Sequence, residues 1–308
     1  MLKPKFQKRH VLLAIACVAL TCQVNAVQAQ TQALQWKLAK GDQFQFQIDQ
    51  TTAVETDVDR RKVPQKNTMK MQVQWEVQSV NDDGSAVVQQ TISHIALQLI
   101  NSGTDPIDYD SGEEKIKGAV KQRIHKSFSK IINQPIMVTL SKAGEITEVE
   151  IPEATLEQLR QMPGSIQGRQ MFQVESLNEM FSQAGLGWSE QAGSTWETTR
   201  DFSLGVPQPF SQTTTYEFVD SDTDLLEIKF TSKIETTGEP KQDTKTPIDF
   251  ENLEITKQDS SGTIMFDSQA GNCTSSSSKS TLETRATYRD KEIRTTINSE
   301  LKMTVTRK

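Results

Sequence analysis

The side chains best suited to metal binding form an acidic cluster in the first half of the chain. Its members are Asp105, Asp108, Asp110, Glu113 and Glu114. Hard cations such as Ca²⁺ take about six to eight oxygen ligands, and carboxylates supply many of them in proteins. A calcium site on Asp105, Asp108 and Asp110 is therefore one interpretation. The spacing differs from that of an EF-hand loop, so the second interpretation is that Asp110 or Ser111 caps a following helix.

Nucleophiles and metal ligands are scarce elsewhere in the chain. Beyond the N-terminal segment there are two histidines, His94 and His125, and one cysteine, Cys273. A zinc site needs about three or four ligands drawn from His, Cys and carboxylates. The sequence also lacks a Gly-x-Ser-x-Gly elbow and a glycine-rich phosphate loop. We therefore predict no catalytic residues, no cofactor and no enzymatic activity.

A basic amphipathic segment over residues 113–132 is the main functional candidate. Its apolar stripe contains Ile116, Val120, Ile124 and Phe128, and six lysines and arginines occupy the polar side. Such a helix could contact an anionic lipid or envelope polymer, or cover an apolar ligand held on a curved sheet. In the structural interpretation the stripe only packs onto the sheet and the lysines are solvated. We take the four apolar residues as candidate ligand-binding residues.

The elements that position these groups are mostly strands. Period-two alternation of apolar and polar residues marks 44–48 and 69–80, and Asp83-Gly84 predicts a tight turn before a partner strand at 86–99. Further strands are predicted at 196–204, 213–219, 225–234, 263–267, 282–288 and 293–305. The run Ser275–Ser278 is interpreted as a strand edge or an exposed turn. Short helices are predicted at 153–162 and 174–184.

The two ends of the chain resemble each other. The segment from Gly41 to Phe44 is similar to Gly193 to Trp196, and 136–144 is similar to 264–271. One interpretation is a duplicated β unit, with halves 36–152 and 188–308 joined by a helical segment 153–187. The other interpretation is chance similarity among threonine-rich strands.

The N-terminus has the pattern of a cleaved secretory signal. Four basic residues precede an apolar run of about twelve residues, shorter than the ~20 that a membrane-spanning helix needs. Val27 and Ala29 suit a cleavage site after Ala29, so we predict a signal peptide 1–29 and a mature domain 30–308, located in the periplasm or outside the cell. A lipoprotein signal and a retained anchor are the alternatives. No later apolar run predicts a transmembrane span.

Charge excludes one class of partner. The chain has 34 Lys and Arg against 40 Asp and Glu, and loss of four basic signal residues leaves 30 against 40, a net charge of −10. Nucleic-acid binding depends on cationic neutralisation of phosphates, so we predict no nucleic-acid partner.

A series of weak motifs in fixed order resembles a known family. The motifs are Gly41-Asp-Gln-Phe44, Asp83-Gly84, 107–111, 140–149, Gly193-Ser-Thr-Trp196, and 261–267 followed by Gly271. The chain resembles a family of exported bacterial proteins, common in planctomycetes, known only as a domain of unknown function. Two departures are Ser194, where the family tends to have an acid, and Cys273. The resemblance implies export and architecture, and no activity.

These observations predict a mainly β protein with one or more large antiparallel, curved sheets and a few covering helices in the middle of the chain. The function that we favour is non-enzymatic binding of a lipid or other apolar or amphipathic ligand, by analogy with periplasmic lipid carriers that have open, curved sheets. The alternative is a structural or protein-interaction module of the cell envelope.

Overall fold

The computed structural model describes residues 34–59, 61–142, 144–160, 177, 181, 195–202, 209–219, 223–238, 251–288 and 291–308. The chain divides into compact units Met1–Gln30 and Thr31–Lys308, and every described residue belongs to the second. The predicted signal peptide 1–29 and most of the predicted helix 174–184 lie outside the described residues.

The described residues contain twelve strands and two helices. The strands are β1 Gln43–Val58, β2 Arg61–Val80, β3 Ala86–Asn101, β4 Ile107–Asp110, β5 Pro135–Leu140, β6 Ile146–Glu150, β7 Thr195–Phe202, β8 Phe210–Val219, β9 Leu225–Thr236, β10 Glu251–Asp267, β11 Asn272–Tyr288 and β12 Lys291–Arg307. The helices are α1 Ala119–Phe128 and α2 Glu153–Arg160.

The strands form one antiparallel, curved and unclosed sheet, which confirms the predicted fold class. Their order is β6-β5-β3-β2-β1-β12-β11-β10-β9-β8-β7, and β4 pairs with β3 beside β5. The strands from β1 to β6 thus run from the centre of the sheet to one edge. Strand β7 lies at the opposite edge, and the strands from β8 to β12 run from there to the centre, where β12 pairs with β1. The duplication of two halves stays a prediction.

The β2–β3 hairpin has the turn that the sequence predicts. Gly84 has φ of 84°, a conformation that glycine adopts without strain. The Asp83 carboxylate accepts hydrogen bonds from the Ser85 backbone N–H at 2.9 Å and from its hydroxyl at 2.6 Å. These bonds hold the pKa of Asp83 below its ordinary value.

The core lies on one face of the sheet, around an aromatic cluster over β1 and β2. The ring of Phe46 lies 4.9 Å from that of Trp75 and 5.1 Å from that of Phe181, between ring centroids. Trp36 stacks on Phe46 from the segment before β1. The Trp75 indole N–H donates to the buried side chain of Gln90 at 2.9 Å, so the polar group is satisfied inside the core.

The segment before β1 is tied to the sheet by polar contacts. The Lys37 backbone N–H donates to the carbonyl of Gly271 at 2.8 Å. The Arg307 guanidinium pairs with the Asp42 carboxylate at 2.7 Å, and Asp42 is only 16% exposed in its side chain. The segment before β1 is therefore held against the core.

Three sequence predictions need correction. The helix predicted from Glu113 begins at Ala119, because Gly118 has φ of 92°, far from helical values. The predicted stripe is shortened accordingly, and Ile116 lies before the helix. The Ser275–Ser278 run is neither an edge nor a turn: it lies within β11, between β10 and β12, with Ser276 buried.

Candidate ligand-binding surface

The sheet has a covered part and a part that continues beyond the core. We call the second part the sheet extension, defined as residues 50–58 of β1, 61–69 of β2, 278–286 of β11 and 293–301 of β12. In these four ranges Ala286 is the one buried side chain. The adjoining segments of β1, β2 and β12, nearer the core, bury Phe46, Met71 and Met303. The strands pair through these ranges without a register shift.

One face of the extension continues the face that buries the core. We call it the inner face; it consists of alternate residues, which the period of a strand places on one side. On β12 the inner-face residues 293–301 are half-buried, while the outer-face Arg294, Asn298 and Glu300 are exposed. The two faces of the extension are thus physically distinct.

Across β11, β12 and β1 the inner face alternates between hydroxyl rows and aliphatic rows. The row nearest the core, Ser278–Leu301–Gln50, is mixed; beyond it the rows are Ser280–Ser299–Thr52, Leu282–Ile297–Val54, Thr284–Thr295–Thr56 and Ala286–Ile293–Val58. Neighbours in a row lie about 4.8 Å apart, and successive rows about 6.8 Å apart. In the first hydroxyl row the Thr52 and Ser299 hydroxyls are 3.4 Å apart.

The charge of the extension lies almost entirely on its outer face. Lys279 pairs there with Glu300 at 3.0 Å, and Lys62 pairs with Glu55 at 2.6 Å. The Lys279 hydrogen bond lowers the pKa of Glu300. On the inner face of the four ranges the one charged side chain is Arg61, at the far end of β2. The extension therefore has a charged outer face and an inner face on which Arg61 is the one charge.

The residues predicted to bind a ligand lie elsewhere. Ile116, Ile124 and Phe128 are partly buried against the core, and Val120 is 50% exposed. The Phe128 ring stacks on buried Tyr109 with 5.9 Å between centroids. Three of the four residues therefore contribute to core packing, as the structural interpretation of the segment expects.

The predicted metal ligands have separate partners. Asp108 accepts a hydrogen bond from the Gln98 amide at 2.8 Å. Asp110 contacts His94 Nε2 at 2.7 Å and accepts from the Gly112 backbone N–H at 2.7 Å. This second bond is the main cause that lowers the pKa of Asp110, and burial opposes it. Asp105 is exposed.

Neither Asp110 nor Ser111 caps the helix, so that interpretation is wrong. The Ser111 hydroxyl accepts from the Ile95 backbone N–H at 3.0 Å, and Gly118 stands at the helix N-terminus with no side-chain cap. Among the described side chains, no group of three or more His, Cys, Asp or Glu is arranged to hold a metal ion. The calcium site stays a prediction.

Cys273 is fully buried. Burial raises the pKa of its thiol to about 12. The thiol lies 3.4 Å from the Ser275 carbonyl, to which it donates. A neutral, inaccessible thiol is a poor nucleophile, so Cys273 acts as a packing residue.

A small depression near the end of β12 is a weaker candidate site. Its volume is about 80 Å³, and it is lined by Gln43, Phe44, Gln74, Trp75, Glu76, Gln89, Thr91 and Lys308. Sites for drug-sized ligands have volumes of about 300–1,000 Å³. The depression is therefore smaller than such a site, and the inner face of the extension is the larger of the two surfaces.

Comparison with protein families gives a match over residues 83–273, to the family of unknown function DUF6263. The chain belongs to DUF6263. The matched range includes β3 to β10 and so covers strands from both halves of the sheet. No curated protein matches the chain.

Similar solved structures are distant. A lipovitellin structure titled for lipid–protein interactions matches with 12% identity and a TM-score of 0.47 over 88% of this chain. The chain spans 25% of that lipovitellin chain. The COG4313 outer membrane channel of Pseudomonas putida F1 (6% identity, 88% of this chain, 98% of that chain, TM-score 0.25) and OccK5 (OpdH) of Pseudomonas aeruginosa (6%, 85%, 98%, 0.23) also match. At these scores the likenesses carry no functional argument. Among the described residues, no helix is long and apolar enough to cross a membrane.

Proposed function

We propose that this DUF6263 protein is an exported, non-enzymatic binder of an apolar or amphipathic ligand, held on the inner face of the sheet extension. The observation that carries the proposal is the segregation of charge: ion pairs cover the outer face, while the inner face carries aliphatic, hydroxyl and amide side chains and one charged residue, Arg61, at the far end of β2. Aliphatic side chains that continue a sheet face beyond a packed core are typical of a binding surface. The export part of the proposal rests on the signal-like sequence 1–29.

The size of the face favours a small ligand over a protein partner. Four strands about 4.8 Å apart and five rows about 6.8 Å apart span roughly 14 by 27 Å between their outermost members, or about 400 Å². A stable protein interface buries about 800 Å² on each partner. An envelope interaction module, the alternative function, would need additional surface from outside the extension.

Native mass spectrometry of the protein purified from its own host without detergent tests the proposal. We expect a ligand adduct on the wild type, loss of the adduct in Ile297→Asp, and retention of it in Asn298→Asp. The two substitutions introduce the same carboxylate at adjacent positions on opposite faces of β12, so the second is a matched control. A clean ligand-free mass for the wild type, or an undiminished adduct in Ile297→Asp, would contradict the proposal.

A further inference from the structure

The hydroxyl rows suggest what kind of polar group the ligand carries. The aliphatic row Leu282–Ile297–Val54 has a hydroxyl row on each side, at about 6.8 Å. A serine or threonine hydroxyl both donates and accepts, so it can serve a hydroxyl, ester or amide of a ligand. Backbone pairing within the sheet leaves side chains as the polar groups available on this face: these hydroxyls on β11, β12 and β1, and the uncharged amides of Gln50, Gln65 and Asn67 on β1 and β2.

The same face has little to offer a charged group. A carboxylate, phosphate or ammonium that leaves water needs a counter-charge or several strong hydrogen bonds, and otherwise burial is costly. Within the four ranges of the extension, Arg61 is the one inner-face charge, and it lies in the outermost row, three rows beyond Thr52. The protein's net charge of −6 further disfavours an anionic ligand.

We propose that the ligand is an electrically neutral amphipathic molecule, with hydroxyl or ester oxygens on an alkyl chain. Its apolar part lies along Leu282, Ile297 and Val54, and its oxygens meet the hydroxyl rows on either side. This inference rests on the proposed function and narrows it from any apolar or amphipathic ligand to an uncharged one.

The test compares three probes with one alkyl chain length: monodecanoyl glycerol (neutral), decanoate (anionic) and decyltrimethylammonium (cationic). Each is titrated below its micelle concentration by calorimetry at one ionic strength. We expect the wild type to bind the neutral probe at least tenfold more tightly than either charged probe. This comparison depends on no variant, so it holds whatever a substitution does to folding.

A pair of variants then locates the site. Thr295→Lys places a cation in the middle of the inner face. We expect this variant to bind the neutral probe at least tenfold more weakly than the wild type does, and the difference in affinity between the neutral probe and decanoate to become smaller or to reverse. Thr296→Lys places the same cation on the outer face, opposite Glu55 and Glu283, and should leave all three affinities unchanged. Circular dichroism confirms folding of both variants.

The outcomes separate the two proposals. Equal or tighter binding of a charged probe by the wild type overturns the neutrality inference and leaves the proposed function standing. Selective binding of the neutral probe that Thr295→Lys does not weaken overturns the assignment to this face. Failure of the wild type to bind any of the three probes contradicts the proposed function itself.

Discussion

Gly262→Ala tests how tightly the inner face is packed where the extension begins. Gly262 lies opposite Phe230 on β9 and Ser278 on β11. A Cβ at this position would lie 2.3 Å from Phe230 Cζ and 2.4 Å from the Ser277 carbonyl oxygen. Carbon atoms in contact are normally about 3.5–4.0 Å apart, so the ring must move by more than ~1 Å, and the backbone contact resists a shift of the strand.

Two terms set the size of the effect. Overpacking costs about 1–3 kcal/mol, and displacing a side chain as buried as Phe230 (7% exposed) forfeits part of the ~1.5–3 kcal/mol that its burial contributes. We expect Gly262→Ala to lower the free energy of unfolding by about 3 kcal/mol, or the melting temperature by roughly 6–12 °C. Urea denaturation followed by circular dichroism measures the change. Phe230→Leu in the Gly262→Ala background should recover part of the loss.

The control for this prediction is Ser261→Ala, the neighbouring residue, whose exposed side chain points to the outer face. It should change the free energy of unfolding by less than about 0.5 kcal/mol. If Gly262→Ala is as mild as Ser261→Ala, Phe230 does not lie across the glycine and the packing described for the start of the extension is wrong.

Three further predictions concern the covered part of the sheet. Phe181→Ala should destabilise the fold by about 3–5 kcal/mol, because its ring fills the space above Trp75; a thermal melt within 2 °C of the wild type would refute this contact. In protein without residues 1–29, where it is the one cysteine, Cys273 should resist a thiol reagent such as 5,5′-dithiobis(2-nitrobenzoate) at pH 8 in the native state and react at once in urea; fast native labelling would contradict its burial. Because burial raises the thiol pKa of Cys273 to about 12, the neutral thiol stabilises the fold at pH values below 9.0, the ordinary thiol pKa. This contribution is lost as the pH rises toward 12. The pKa of Asp110 is lowered in the folded state, so its carboxylate stabilises the fold at pH values above 3.8, the ordinary pKa. This stabilisation is lost as the pH falls through the pKa of the folded state. The difference in unfolding free energy between wild type and Asp110→Asn should therefore shrink below about pH 4, and a difference that stays constant to pH 2 would refute the Gly112 hydrogen bond as its cause.

The sequence predicted strand segments whose apolar residues alternate, including 293–305 of β12, and missed segments in which serine and threonine take their place. Alternation over 44–48 identified the buried part of β1, but the strand continues to Val58. The prediction placed the start of β11 at Leu282, whereas the structure begins it at Asn272. In these segments serine and threonine replace apolar residues on the inner face, so the two-residue hydrophobic period disappears although the strand persists. Read at every second residue, 52–58 shows the hydroxyl–aliphatic alternation of Thr52, Val54, Thr56 and Val58, which would have signalled the rest of β1.

The candidate surface could not be predicted because it depends on register. The rows unite residues far apart in the chain, such as Val54 and Ile297, which pair across β1 and β12. A shift of one residue would send either side chain to the opposite face. The helix candidate, in contrast, was visible as a local pattern, yet Gly118 delays its start and its apolar stripe belongs to the core.

The most direct test of the account is a polarity-sensitive label placed on each face of β12. In protein prepared without the predicted signal peptide 1–29, and so without Cys17 and Cys22, the one native cysteine is the buried Cys273, and Ile297→Cys and Asn298→Cys can each be labelled with acrylodan at a single site. Adding monodecanoyl glycerol should shift the emission of the label at position 297 to shorter wavelength and leave the label at position 298 unchanged. Equal shifts at both positions, or no shift at position 297, would contradict the claim that the inner face of the extension binds the ligand.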